Sequence, residues 1–160
     1  MEFLLSGDAP FDLEIRVVGD DAATFHAHRM ALAAQSLYFR RRLYGEVGNE
    51  AGGAPPSAID VHGVSPEAFG AVLHYVYNDA LPEEVTNKSG NAAAFMAREL
   101  FEAADMYAMD RMKLLCANNL CRFIDVDTVS PIMEIAEAHS CELLKKARRN
   151  YMKRRRILAQ

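Results

Sequence analysis

The sequence has little of what defines several large protein classes. Its 160 residues include three cysteines, and this small, odd number does not support a disulfide framework and fits a reducing compartment. No apolar run approaches the roughly 18 residues that a membrane span requires. The opening segment carries Glu2 where a signal peptide has positive charge. These absences predict a protein of the cytoplasm, the nucleus or both, with no membrane partner.

Catalytic fingerprints are also missing. The chain has no G-x-S-x-G, P-loop, Rossmann or H-E-x-x-H motif. His26 and His28 lie two positions apart, but a helix is expected to begin at His28, so both are interpreted as structural residues rather than metal ligands. Cys116, Cys121 and Cys141 are expected to pack as small hydrophobic residues. The sequence therefore predicts no enzyme, no metal site and no cofactor.

Charge is distributed unevenly along the chain. Residues 1–144 contain all 22 acidic residues and 10 of the 18 basic ones, which gives this part a net charge of −12. Residues 145–160 contain the other 8 basic residues and no acidic one. An acidic body repels phosphate backbones, so no nucleic-acid partner is expected for it. The basic tail is either a nuclear-import or anionic-surface segment, or a solvated helix end.

The remaining composition, 51% hydrophobic and 25% charged, is that of a globular domain. Apolar residues alternate over residues 11–18, which predicts a strand, and residues 24–26 can pair back on it as a hairpin. Residues 58–61 predict a further short strand. Ser36 and Ser65 each precede an apolar helical pattern and are predicted to cap the helices that follow.

The second half of the chain has helical periodicity throughout. Residues 92–107 and 110–123 predict two amphipathic helices, with Asp110 as a cap, and residues 128–151 predict a helix pair. Residues 82–91 are polar and predict a loop. The few strands and many helices indicate a mostly α, α+β fold.

Several of these segments resemble one family in order along the chain. Residues 25–39 read Phe-x-Ala-His-Arg-x-x-Leu-x-Ala-x-Ser-x-x-Phe, and together with residues 11–15, 59–77 and 100–116 they resemble the BTB/POZ signature. The resemblance implies the BTB/POZ fold, a small sheet flanked by a helical cluster, over residues 1–124. It also implies that residues 125–160 form a C-terminal helix pair, a three-box or partial BACK-like region with a basic tail.

The flanking segments are similar to those of plant speckle-type MATH–BTB proteins, although no MATH domain is expected in this chain. The resemblance implies a dimeric interaction module that serves as a substrate adaptor, or part of one, for a cullin-3 RING ubiquitin ligase in protein ubiquitination. The implied partners are a second copy or a related BTB protein, and the cullin-3 scaffold. Two alternatives stay open: a decoy that heterodimerises with full-length MATH–BTB adaptors, and a nuclear, transcription-associated BTB protein.

Small and apolar residues of the hairpin and the first helix are candidates for an isologous dimer interface. The resemblance further implies that Asp12 and Arg29 form a charged pair near the dimer seam. The alternative is that these residues complete the core of a monomer. The candidate dimer residues are Leu4, Leu5, Phe11, Asp12, Leu13, Arg29, Ala31, Leu32 and Ala34.

The resemblance places cullin contacts on the second helix, the loop after it and the ends of later helices. Asn49 occupies the position of a family glutamate, which predicts weakened cullin affinity, although Glu50 is adjacent. Aromatic residues dominate such surfaces, but Tyr107 is equally well interpreted as a core ring. The candidate cullin-binding residues are Tyr44, Val47, Asn49, Glu50 and Tyr107.

Overall fold

A three-stranded sheet and a cluster of helices share one apolar core. The computed structural model describes residues 10–45 and 54–158. A short 3-10 helix spans Cys121–Phe123. The numbered elements are β1 (Leu13–Val17), β2 (Ala23–Ala27), α1 (Arg29–Gln35), α2 (Leu37–Tyr44), β3 (Ala58–Val61), α3 (Pro66–Asn78), α4 (Glu83–Asn87), α5 (Asn91–Met106), α6 (Asp110–Leu120), α7 (Val129–Ala138) and α8 (Glu142–Leu158).

The sheet has the order β2-β1-β3, which confirms the predicted hairpin and third strand. In the antiparallel pair Ile15 lies opposite Phe25, and in the parallel pair Ile15 lies opposite Ile59. A parallel neighbour requires a crossover connection, and α1 and α2 lie within it. The alternation in β1 buries Ile15 and Val17 while Arg16 points outward.

Both predicted serine caps are present. The Ser36 hydroxyl accepts a hydrogen bond from the Phe39 N–H at 3.1 Å, at the start of α2. The Ser65 hydroxyl accepts one from the Ala68 N–H at 3.1 Å, at the start of α3. Each cap satisfies one of the N–H groups that a helix start leaves without an internal partner. The two serines therefore set the points at which the chain turns into helix.

Two local predictions were wrong. The polar segment 82–91 contains the short helix α4, because Pro82 supplies a helix-compatible φ of −58° and two glutamates follow in the first turn, where the helix dipole favours negative charge. Asp110 is not the cap of α6. The cap residue is Met109, and Asp110 lies one position later, still within the first turn.

The core runs from the sheet through to the last two helices. Ile132 and Ala136 of α7 and Leu144 of α8 belong to the same buried cluster as the sheet residues. Between α7 and α8 the chain turns at Ser140, whose φ is +50°. The predicted C-terminal helix pair therefore packs on the sheet and helices that precede it. The large aromatic side chains of the core are Phe39, Phe69, Tyr75, Phe101 and Tyr107.

Asp105 links α5, α6 and the end of α7. Its two carboxylate oxygens lie 2.6 Å from the Lys113 Nζ and 2.6 Å from the His139 Nδ1. The Lys113 Nζ also donates to the His139 carbonyl at 3.4 Å. Burial by itself raises the pKa of Asp105, but the hydrogen bonds and charges of Lys113 and His139 outweigh it and lower the pKa overall. The ionised carboxylate therefore adds a polar contact between α5 and the end of α7 to the buried apolar contacts of the helix pair.

Asp105→Asn is expected to lower the free energy of unfolding by roughly 0.5–1 kcal/mol, a modest loss because the carboxyl is partly exposed. A carboxyl with a lowered folded pKa stabilises the fold above its unfolded pKa of about 3.9, and this contribution is lost as pH falls through the folded pKa. Urea denaturation from pH 7 to pH 3 measures the effect. The difference from wild type should shrink as the pH falls below about 4.

Glu102→Gln is the matched control, because Glu102 is exposed on the same helix. It should leave the unfolding free energy within experimental error. If Asp105→Asn changed stability no more than Glu102→Gln at pH 7, the proposed link between the body and the helix pair would be refuted.

Candidate protein-interaction surfaces

The first candidate surface lies at the hairpin and the start of α1. The Phe11 side chain is 61% exposed, and its ring centroid lies 4.9 Å from that of His28 and 6.3 Å from that of His26. Met30 in the first turn of α1 is 72% exposed. Large apolar side chains this exposed are a mark of contact surfaces when they cluster. We name Phe11, Met30 and Ala34 the hairpin face.

Asp12 and Arg29 join the two segments of this face. One Asp12 carboxylate oxygen accepts the Arg29 backbone N–H at 2.8 Å, and the other lies 3.6 Å from the Arg29 Nε. The Arg29 Nη1 donates to the carbonyls of Pro55 at 3.3 Å and Pro56 at 3.1 Å. The charged pair therefore forms within a single protomer, and Arg29 in addition ties α1 to the segment that precedes β3.

The other predicted dimer residues separate by burial. Leu13, Ala31 and Leu32 belong to the buried core, which is the alternative that the sequence left open for them. These three residues can therefore contribute to an interface only by supporting the exposed residues next to them. Ala34 is exposed on α1. Leu4 and Leu5 lie outside the described residues.

Met30 is the feature of this face that sequence reasoning missed. It lies four residues before Ala34, a spacing that puts both side chains on one side of a helix. Because the periodic pattern of α1 includes buried Ala31 as well, the sequence alone does not separate the inner side from the outer side. The four-residue spacing between Met30 and Ala34 was the feature of the sequence that could have identified Met30 as part of this face.

The second candidate surface is a groove between α2 and the end of α5. Leu37 and Tyr38 on α2 are each 38% exposed, and Met106 on α5 is 43% exposed. They surround an open groove of about 620 Å³, which Arg41 and Arg42 also line. We name these five residues the α2–α5 groove. Apolar contact area is thus combined with two cations, a combination typical of protein-binding surfaces.

Tyr107 lies beneath this groove, in the core. It is 1% exposed, and its ring centroid lies 4.8 Å from that of Phe39 and 5.4 Å from that of Tyr38. Its buried hydroxyl has no hydrogen-bond partner within the described residues. Burial raises the pKa of Tyr107, the neighbouring Tyr38 also raises it, and the Arg42 guanidinium acts in the opposite direction. Its predicted direct contact with a partner is not compatible with this burial, and it acts as the support of Tyr38.

Tyr44 is 46% exposed at the end of α2, in keeping with a contact role. Val47, Asn49 and Glu50, the other candidates for cullin binding, lie outside the described residues. Tyr38 was missed because it is adjacent to buried Phe39, and the sequence does not show which of the two aromatic side chains faces the core. The signal that could have found it is the cap at Ser36, which sets the helix phase.

Within residues 10–45 and 54–158, no group of three metal-ligating side chains comes together, and no helix is long and apolar enough to cross a membrane. His28 is structural, since its backbone N–H and its Nδ1 lie 2.9 and 2.7 Å from the Tyr77 hydroxyl. Burial raises the pKa of the Cys116 thiol to about 12, so this thiol stays protonated at neutral pH.

A family model described as BTB/POZ domain matches residues 4–124. The chain belongs to the BTB/POZ domain family. The BTB domain of zebrafish PATZ1 has the same fold, with a TM-score of 0.53, 23% identity, and coverage of 73% of this chain and 80% of that one. The predicted fold class, a mostly helical BTB fold with a small sheet, is therefore confirmed. The division at residue 124 and the BACK-like nature of 125–160 stay predictions.

The relatives of this BTB protein include longer plant proteins. "BTB/POZ and MATH domain-containing protein 3" of Arabidopsis thaliana is 36% identical over 146 residues, which are 89% of this chain and 34% of the relative. Protein 4 of the same series and organism is 33% identical over 149 residues, 89% of this chain and 30% of the relative. The chain thus spans about a third of the length of these relatives. BTB domains are interaction modules and are generally not enzymes.

Tyr107→Phe is expected to leave the melting temperature unchanged or raise it, because the substitution removes a buried hydroxyl without a partner and keeps the ring. Tyr107→Ala, by contrast, should cost about 3–5 kcal/mol, because it leaves a cavity between Phe39 and Phe69. Thermal and urea denaturation of both variants measure this. A loss above about 1 kcal/mol in Tyr107→Phe would mean that the hydroxyl is hydrogen-bonded.

Proposed function

We propose that this BTB protein is a dimeric interaction module that docks a cullin-3 scaffold as an adaptor subunit, or part of one, in ubiquitin ligation. The observation that carries the proposal is the presence of two separate exposed apolar surfaces on one BTB fold. The hairpin face is the proposed dimer surface. The α2–α5 groove with Tyr44 is the proposed cullin surface. A cytoplasmic or nuclear location belongs to the same proposal.

The hairpin face suits a twofold interface. Phe11 and Met30 are exposed at 61% and 72%, and the Asp12–Arg29 contact holds the two segments that carry them. Ala34 is small, so a second helix can approach α1 closely. In a twofold dimer each copy presents the same patch to the other. A face that offers both large apolar side chains and a small residue is suited to pairing with itself.

The α2–α5 groove suits a different partner. Tyr38 rests on the buried Tyr107 ring, so its ring is held in place before binding and loses little freedom on docking. Arg41 and Arg42 border the apolar part of the groove and favour a partner with acidic side chains at the edge of its contact area. These features support an anchored, pre-organised docking site rather than a loosely ordered one.

The dimer is tested by sedimentation of the full chain at tens of micromolar. Wild type should sediment at twice the 17.8 kDa of one chain, and the double variant Phe11→Asp, Met30→Asp should sediment as a monomer, because it would bury charges without partners. Leu114→Asp is the matched control, since Leu114 is 60% exposed on α6, and it should stay dimeric. Monomeric wild type would refute the dimer.

Cullin docking is tested by titration calorimetry with the N-terminal domain of cullin-3. Tyr38→Ala and Tyr44→Ala should each weaken binding at least about tenfold, as central aromatic anchors do. Phe95→Ala, which truncates a ring that is 59% exposed on the first half of α5, should change affinity less than about threefold.

Absence of binding by wild type at high micromolar concentration would refute cullin docking while leaving the dimer in place. Equal losses in Tyr38→Ala and Phe95→Ala would instead move the docking site away from the α2–α5 groove.

A further inference from the structure

Helix α8 has one side that is free of contact with the rest of the structure, and it carries all eight basic residues of the segment 145–160. Its only acidic residue is Glu142, and eight lysines and arginines follow from Lys145 to Arg156. Leu144 is fully buried, and Ala147 and Tyr151, which follow it at helical spacing, are half-buried. One side of the helix therefore packs on the body and the opposite side faces solvent.

Four of the eight cations form a single line on the solvent side. At about 100° per residue, Lys146, Arg149, Lys153 and Arg156 fall within roughly 80° of arc, opposite Leu144. All four are exposed. At 1.5 Å per residue the line is about 15 Å long. We name these four residues the cationic stripe.

The stripe has no internal partner within the described part of the chain, since no hydrogen bond or ion pair there involves any of the four. Lys145 differs, because its Nζ lies 3.4 Å from a Glu142 carboxylate oxygen. Four aligned cations of like charge repel each other, and an anionic ligand relieves this repulsion. The positive charge of the stripe is therefore available to an anionic ligand.

A membrane fits the stripe poorly. Helices that lie in a lipid interface insert an open apolar side, whereas the Leu144 side of α8 is already buried against the body. Residues 1–144 also carry a net charge of −12, which an anionic membrane repels. Lipid binding would thus lack its apolar component and act against the charge of the body.

Nucleic acid also fits poorly. Single strands are held by aromatic rings on which bases stack, together with cations along the backbone. The one aromatic residue of α8, Tyr151, is half-buried on the side away from the stripe. A long polyanion would in addition run over the acidic body. A short acidic segment can lie along the stripe alone, with the body largely screened beyond a Debye length of about 8 Å.

We propose that the cationic stripe of α8 binds an acidic segment of a partner protein, in which glutamates or aspartates recur at about one helical turn. Carboxylates at positions i, i+3, i+7 and i+10 of a helix repeat the spacing of Lys146, Arg149, Lys153 and Arg156. Arginine and carboxylate can pair through two parallel hydrogen bonds, which adds specificity to attraction. This proposal is independent of dimer formation and cullin docking.

The test uses the full chain and a fluorescein-labelled helical peptide of alanine and glutamine with four glutamates at i, i+3, i+7 and i+10. Fluorescence anisotropy should show binding that weakens as salt rises from low to physiological concentration, because exposed ion pairs are screened. The quadruple variant Lys146→Gln, Arg149→Gln, Lys153→Gln, Arg156→Gln should weaken binding by at least about tenfold.

The other four cations of α8 provide a matched control. Lys145→Gln, Arg148→Gln, Arg154→Gln, Arg155→Gln removes the same charge from the same helix and should weaken binding less than about threefold. Glutamine has nearly the helix propensity of lysine and arginine, so both variants should retain wild-type circular dichroism.

Equal losses of peptide affinity in the two variants would overturn the proposal, because binding would then depend on the total positive charge of α8 and not on the arrangement of the stripe. Tighter, stripe-dependent binding of a short single-stranded RNA or of phosphatidylserine vesicles would overturn it in favour of that ligand. Self-association that the stripe variant abolishes would identify a second copy as the occupant instead of another protein.

Discussion

One buried residue, Ser36, connects the corner between α1 and α2 to the corner between α5 and α6. Both interaction surfaces depend on these two corners. The Ser36 N–H closes α1 by donating to the Leu32 carbonyl, and the Ser36 hydroxyl opens α2 by accepting from Phe39. The same hydroxyl donates to the Tyr107 carbonyl at 2.6 Å, at the end of α5 and 71 residues later in the chain. A single side chain therefore fixes the α1–α2 corner against the α5–α6 corner, and with them the width of the α2–α5 groove.

The two surfaces that follow are held in different ways. The hairpin face is supported by a partly exposed charged pair, in which Asp12 receives the Arg29 backbone N–H. The α2–α5 groove is supported by a buried ring, Tyr107, under Tyr38. The charged pair is accessible to solvent, whereas the Tyr107 ring packs against Tyr38, Phe39 and Phe69 and holds the groove in one shape. A module that pairs with itself and docks a second partner can use both kinds of support.

Sequence reasoning was most accurate where local chemistry decides the structure. The alternation around Ile15 and the capping positions of Ser36 and Ser65 were all predicted, because strand period and cap hydrogen bonds depend on near neighbours. The same reasoning missed α4, where a proline and two glutamates start a helix within a polar segment. It also did not separate exposed Met30 from buried Ala31, since adjacent helix positions differ only in what packs against them.

The sequence by itself determined the family, the hairpin and the third strand, the starts of α2 and α3, and the split between an acidic body and a basic end. Those properties follow from residue types and from spacings of a few positions. Only the tertiary structure decided that Tyr107 supports a surface from below, that Asp105 joins three segments, and that half of the cations on α8 form one outward line. Each of these depends on which side of a helix meets the core, and contacts between residues far apart in the chain set that orientation.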